Sequence, residues 1–130
     1  MPLVKIEIRK GRSKEHKSRL LNIVHQTLVD IVKIPENDRI QRLYELDIDN
    51  FEISSAKTDN FTIIEVTMFK GRTIDTKKKF LIELASRLNH ELSISANDLI
   101  IVLHELPLEN WGIRGVNLEN DYDLGFKIDV

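Results

Sequence analysis

The segment Lys10-Gly11-Arg12-Ser13-Lys14-Glu15-His16-Lys17 returns sixty residues later as Lys70-Gly71-Arg72-Thr73-Ile74-Asp75-Thr76-Lys77. The same offset aligns Leu21 with Leu81, Leu28 with Leu88, Ile34 with Ile94, and Asn37-Asp38 with Asn97-Asp98. It continues through Leu43, Glu45 and Leu46 opposite Leu103, Glu105 and Leu106. Thirteen of the forty-five pairs from Pro2/Thr62 to Leu46/Leu106 are identical. That is too many for chance at constant register, and the chain reads as a tandem duplication.

Each copy carries its own structural signals. Val4, Ile6 and Ile8 alternate within residues 2–9, and residues 61–69 are rich in β-branched and aromatic side chains; both stretches predict strands. Gly11 and Gly71 mark turns. Ser13 and Thr73 then stand where a side-chain oxygen can accept from the free amides of a first helical turn. Leu20, Leu21, Val24, Leu28, Ile31 and Val32 form one helical stripe, and Phe80, Leu81, Leu84, Leu88 and Leu92 form another. Pro35 lacks an amide and constrains its predecessor, and is expected to stop the first helix.

Strands at 40–46 and 99–106 close the copies, so each is a β-α-β unit. Such a crossover makes its two strands parallel and is right-handed in nearly all cases. Two units sharing one sheet predict an α+β domain, a four-stranded sheet with both helices on one face. The expected layout is repeat one at 2–46, a polar connector at 47–60, repeat two at 61–106 and a tail at 107–130. The bare sheet face and the half-apolar tail, with Trp111, Tyr122 and Phe126, predict a symmetric oligomer.

The chain has 130 residues, 42% hydrophobic and 31% charged, with a formal charge of -2 and no cysteine. One folded domain of that size is expected, without disulfides, thiolate chemistry or cysteine-based zinc sites. The charge offers no broad attraction to nucleic acid or acidic membranes, and Lys77-Lys78-Lys79 reads as a solvated helix face. Neither a signal-peptide core nor a membrane-length apolar run is present, which makes the cytoplasm the default address. His16, His25, His90 and His104 show no metal-ligand spacing and are expected as surface or helix residues. No Walker loop, GxGxxG or GxSxG elbow occurs.

Pro2 is the sharpest chemical feature. Proline alone makes an N-terminus that is a secondary amine, a good base and nucleophile, once Met1 has been trimmed. Burial and neighbouring cations favour the neutral amine, and a nearby carboxylate favours the cation. The competing reading is a proline that merely begins a strand, where a missing amide does little harm. Arg72 and Lys70 lie at the mouth of the second helix, where free amides already favour an anion, and Arg72 offers a bidentate fork for a carboxylate. Alternatively they only brace the turn, as Arg12 and Lys10 would in the first copy. Asp38 and its counterpart Asp98 suit a turn that bonds its own backbone. Trp111, flanked by glycines in Glu109-Asn110-Trp111-Gly112-Ile113-Arg114-Gly115, can cap a pocket or pack a core.

Met1-Pro2, a strand, Gly11-Arg12-Ser13 and a near-copy downstream together resemble the tautomerase superfamily, in particular its fused-repeat members. Trp111-Gly112-Ile113-Arg114-Gly115 resembles the tail of 4-oxalocrotonate tautomerase. Pro35, Asp38-Arg39 and Glu109-Asn110-Trp111 resemble malonate semialdehyde decarboxylase. The resemblance implies a trimer of double-length subunits acting on small oxo acids without cofactor or metal. It implies Pro2 as the catalytic amine, Asp38 as its polar partner and Arg72 as the carboxylate ligand, with Lys70, Trp111 and Ile113 around the substrate. The decarboxylase pattern has arginine where Lys70 stands and phenylalanine where Ile113 stands.

Two chemistries follow from that resemblance. A neutral Pro2 would move a proton next to a carbonyl, which is keto-enol tautomerisation of a 2-oxo acid. A cationic Pro2 held by Asp38 would polarise or condense with a 3-oxo acid and promote decarboxylation. A trimeric binding protein without turnover is the rival from outside enzymology.

Overall fold

In the computed structural model, which describes residues 2–118 and 128–130, the two copies form one mixed sheet. The strands are β1 (Leu3–Arg9), β2 (Ile40–Leu46), β3 (Thr62–Phe69) and β4 (Leu99–Leu106), in the order β2-β1-β3-β4. Within each copy the strands are parallel, with Leu3 opposite Ile40 and Thr62 opposite Leu99. The copies join through an antiparallel β1–β3 pair in which Ile6 faces Ile64. The expected α+β sheet and its helical layer are therefore present, and the two halves are related by an approximate twofold through the sheet centre.

Alternation explains why the strands bury one face. Val4, Ile6 and Ile8 of β1 and Ile64, Val66 and Met68 of β3 point into the helical layer and are fully buried. Against them pack α1 (Lys14–Thr27) and α2 (Ile74–Leu92), through Leu20, Val24 and Leu28 on one side and Phe80, Leu84 and Leu88 on the other. Truncating any of these leucines to alanine would cost about 2–5 kcal/mol, a sum of lost transfer energy and cavity. Ser13 and Thr73 are the N-caps, their side chains accepting from the His16 and Thr76 amides.

The first helix ends differently from the proline expectation. After Thr27 it continues as a π-helical turn over Leu28–Val32 and stops at Lys33, whose backbone is left-handed at φ 64°. Sixty residues later Ser93 ends α2 in the same conformation, at φ 56°, with serine rather than proline two residues on. The common stop is thus the left-handed residue, which frees the chain to turn back to the sheet. Pro35 only follows it. His25 is a helix residue as expected, but it is buried rather than at the surface, and its Nε2 donates to the Glu36 carbonyl at 2.8 Å.

The opposite sheet face carries Leu3, Lys5, Glu7, Ile63, Glu65 and Thr67 in its centre. Ile40, Tyr44, Ile100, Val102 and Leu106 are exposed large hydrophobic residues of the flanking strands. Glu65 bridges this face, bonding His104 at 2.9 Å with Lys5 at 3.8 Å. Among the described residues no helix is long and apolar enough to cross a membrane. Past β4, a short hairpin pairs β5 (Gly112–Ile113) with β6 (Val116–Asn117). Its two turn residues, Arg114 and Gly115, both have positive φ, as a tight two-residue hairpin turn requires. Tyr122 and Phe126 of the tail lie outside the described residues.

Candidate active site

Strand direction decides which residues meet. β1 and β2 begin at the sheet end where β3 and β4 finish. Pro2 directly precedes Leu3, whose neighbours are Ile40 on one side and Thr67 on the other. Asp38 lies two residues before Ile40, and Phe69, Lys70 and Arg72 lie just beyond Thr67. The chain therefore brings Pro2, Asp38, Lys70 and Arg72 to one end of the sheet from three separate segments. Pro2 is buried, Asp38 is half-buried and Lys70 is exposed.

Arg72 is only 6% exposed. Its Nη1 donates to the Phe69 carbonyl at 3.3 Å, folding the guanidinium back under the end of β3. Burial pulls its pKa below the ordinary arginine value, and the Glu105 carboxylate opposes that pull; an arginine so placed stays cationic. Glu105 stands near the end of β4 and accepts from Lys77 of α2 at 2.7 Å. Its Oε2 is buried without a hydrogen-bond partner among the described residues. The buried Arg72 guanidinium and the half-buried Lys77 ammonium thus both lie in the field of the Glu105 carboxylate at the start of α2.

The apolar wall of this end is a cluster of Phe69, Trp111 and Leu118, with Leu3, Leu108, Ile113 and Ile128 packed on it. Trp111 is fixed by its indole N–H, which donates to the Leu106 carbonyl at 3.3 Å. Trp111 and Ile113 therefore lie at the same sheet end as Pro2, because Leu3 touches their cluster. Phe69, Glu105 and Ile128 did not stand out as site residues in the sequence. Glu105 had a signal, its identity with Glu45 across the repeat; Phe69 and Ile128 had none.

The opposite end of the sheet holds the duplicated counterparts, and there the connector occupies all of them. Arg12 donates to the Asp59 carbonyl and to Asn60 Oδ1. Thr62, the counterpart of Pro2, donates its hydroxyl to the Asn60 carbonyl at 2.8 Å. Asp98, the counterpart of Asp38, accepts from the Thr58 amide at 2.9 Å and from the Thr58 hydroxyl. Those bonds hold the Asp98 carboxyl below the usual carboxylate range. Residues 58–60 thus tie the counterparts of Arg72, Pro2 and Asp38 together at that end of the sheet.

Among the described residues no cluster of histidine and acidic side chains could hold a metal ion. Residues 2–54 and residues 38–114 each match a family described as tautomerase enzyme. The probable tautomerase YusQ of Bacillus subtilis (strain 168) is 33% identical over 85% of this chain and 91% of its own. The solved structure of FG41 malonate semialdehyde decarboxylase inhibited by 3-bromopropiolate is 27% identical, with a TM-score of 0.76 over 84% of this chain and 86% of that one. Native fused 4-OT shares the fold at 19% identity, with a TM-score of 0.82 over 95% of this chain and 99% of that one; fused 4-OT has also been solved as symmetric and asymmetric trimers. With its duplicated β-α-β sheet and these matches across both halves, the chain belongs to the tautomerase family.

Proposed function

We propose that the chain, once Met1 is removed, uses the Pro2 amine as a general base for keto-enol tautomerisation of small 2-oxo acids. The observation that carries this reading is the convergence of Pro2 and Arg72 at one sheet end, against the Phe69–Trp111 wall. Burial at the start of β1 and the nearby Arg72 and Lys70 charges favour the unprotonated amine, the form a base requires. Starting from an enol, Pro2 would take the hydroxyl proton and deliver it to carbon as the carbonyl forms; in the reverse direction it would take a proton from carbon beside the carbonyl and deliver it to the enolate oxygen. Arg72 would hold the substrate carboxylate and stabilise the developing enolate charge. Trp111 and Ile113 would face the substrate's carbon skeleton, and Lys70 would add positive potential at the mouth. No metal or organic cofactor enters the scheme.

A second reading is decarboxylation of a 3-oxo acid, favoured by Asp38 at the adjacent strand start and by the likeness to malonate semialdehyde decarboxylase. There Asp38 would keep Pro2 cationic. The Pro2 pKa separates the two: a value well below neutral supports the base, and a value of about nine supports the cation. Assembly as a trimer would cover the exposed Ile40, Tyr44, Ile100 and Val102 face, by analogy with fused 4-OT.

The test is the mass of the purified N-terminus followed by kinetics with phenylenolpyruvate, 2-hydroxymuconate and malonate semialdehyde. Pro2→Ala should abolish turnover while leaving the oligomer intact. Equal activity in the two proteins, or a retained Met1, defeats the proposal; no turnover by either protein leaves the binding-protein reading.

A further inference from the structure

The turn that carries Arg72 is gripped from outside by residues 128–130. The Val130 carbonyl accepts from the Thr73 amide at 3.0 Å and from the Thr76 hydroxyl at 2.8 Å. Thr73 is the α2 N-cap, so these bonds tie the end of the segment to the first helical turn. Two residues earlier, Ile128 lies across Gly71. A Cβ at Gly71 would sit 3.0 Å from the Ile128 carbonyl oxygen and 3.1 Å from its Cγ1. Gly71 has φ 149°, so glycine meets both the backbone and the space requirement there. The Ile128 side chain also packs on the Phe69–Trp111–Leu118 cluster.

The same three residues therefore join the apolar wall to the start of α2, with Arg72 between the two attachments. At the corresponding glycine of the first copy, no atom of the described residues lies within 4 Å of the place a Cβ would take at Gly11. The arginine of that copy is held instead by the connector.

We infer that Ile128–Val130 is a positioning segment for Arg72, fixing the backbone from which the guanidinium reaches the substrate carboxylate. The inference rests on the reading of Arg72 as that ligand. An arginine side chain is long and rotamer-rich, so its placement depends on how firmly its own backbone is held. Val130 also occupies the Thr73 amide and the Thr76 hydroxyl, which leaves the carboxylate to the guanidinium rather than to these two donors.

The test compares the full chain, Arg72→Ala, deletion of 128–130, Ile128→Ala and Ile128→Leu. Three readouts are needed: calorimetric binding of 3-phenylpropanoate, a carboxylate without a reactive carbonyl; turnover of phenylenolpyruvate; and hydrogen exchange at the Thr73 amide. Deletion and Ile128→Ala should raise Kd and KM about tenfold and lower kcat to a smaller degree, since Arg72 both binds the carboxylate and stabilises the developing charge. Ile128→Leu should restore both constants, and the deletion should speed Thr73 exchange. Unchanged Kd in the deletion and in Ile128→Ala, with Arg72→Ala weakened, overturns the inference, as does a fall in kcat at constant KM. Should Arg72→Ala itself bind normally, the reading of Arg72 fails and the inference falls with it. If the deletion does not fold, the Ile128→Ala and Ile128→Leu pair decides.

Discussion

Trp111 stands edge-on to Phe69, with ring centroids 4.8 Å apart and planes inclined by 72°. This pair forms the apolar side of the candidate site, where the indole N–H of Trp111 also bonds the Leu106 carbonyl. Trp111→Ala should cost about 3 kcal/mol in urea unfolding, through lost burial and the cavity left behind. Trp111→Phe keeps most of the area and should cost about 1 kcal/mol, the value of one hydrogen bond.

The two duplicated arginines should separate cleanly. Arg72→Ala should raise KM for an oxo acid by roughly tenfold to a hundredfold, the loss of a charge-assisted hydrogen-bonding group. Arg12→Ala should leave KM unchanged and lower the unfolding midpoint instead, because Arg12 holds Asp59 and Asn60 of the connector. Steady-state kinetics and thermal melts on both variants check the contrast; a KM effect at Arg12 would contradict it.

Glu105 and Glu45 make the same bond to α2 and α1, each 2.7 Å from a lysine. Glu105 is the more buried, 17% against 32% exposed in its side chain. Glu105→Gln should therefore destabilise by about 2 kcal/mol, leaving Lys77 and the nearby Arg72 without their shared carboxylate. Glu45→Gln, better screened by water, should cost under about 1 kcal/mol. Chemical denaturation of the two variants gives the comparison.

Asp98 supplies a pH dependence with a definite sign. Its folded pKa is depressed below the ordinary 3.8, first by the Thr58 hydroxyl and then by the Thr58 amide. The stabilisation is therefore fully present above the unfolded value and is lost as pH falls through the folded one. Asp98→Asn should be less stable than the parent by about 1 kcal/mol at neutral pH. The gap should shrink below about pH 4, measured by urea titration at both pH values.

Local patterning carried most of the fold into view. Period-two alternation in residues 3–9, the helical stripes and the sixty-residue offset predict all four long strands, both helices and their common face. Strand order was not legible, because the pairing of Ile6 with Ile64 depends on contacts between copies that leave no local signature. The π-helical turn at Leu28–Val32 was hidden for a related reason: its side chains still fall on the buried stripe. Pro35 marks the end of the first helix only approximately, and the left-handed backbone of Lys33 has no glycine to announce it. At the candidate site, Pro2, Asp38, Arg72, Lys70, Trp111 and Ile113 could be named from residue type and resemblance. Phe69, Glu105 and Ile128 matter only through three-dimensional neighbours, and an isoleucine near the chain's end gives no hint that it covers a glycine.

Because the central strands run in opposite directions, equivalent residues of the two halves sit at opposite poles, roughly 20 Å apart along strands of this length. A substitution at one pole is not felt sterically at the other. The ancestral symmetry therefore need not be kept in step: side chains at one pole can diverge while those at its twin go on anchoring the connector, and redesign of either can proceed without retuning its counterpart.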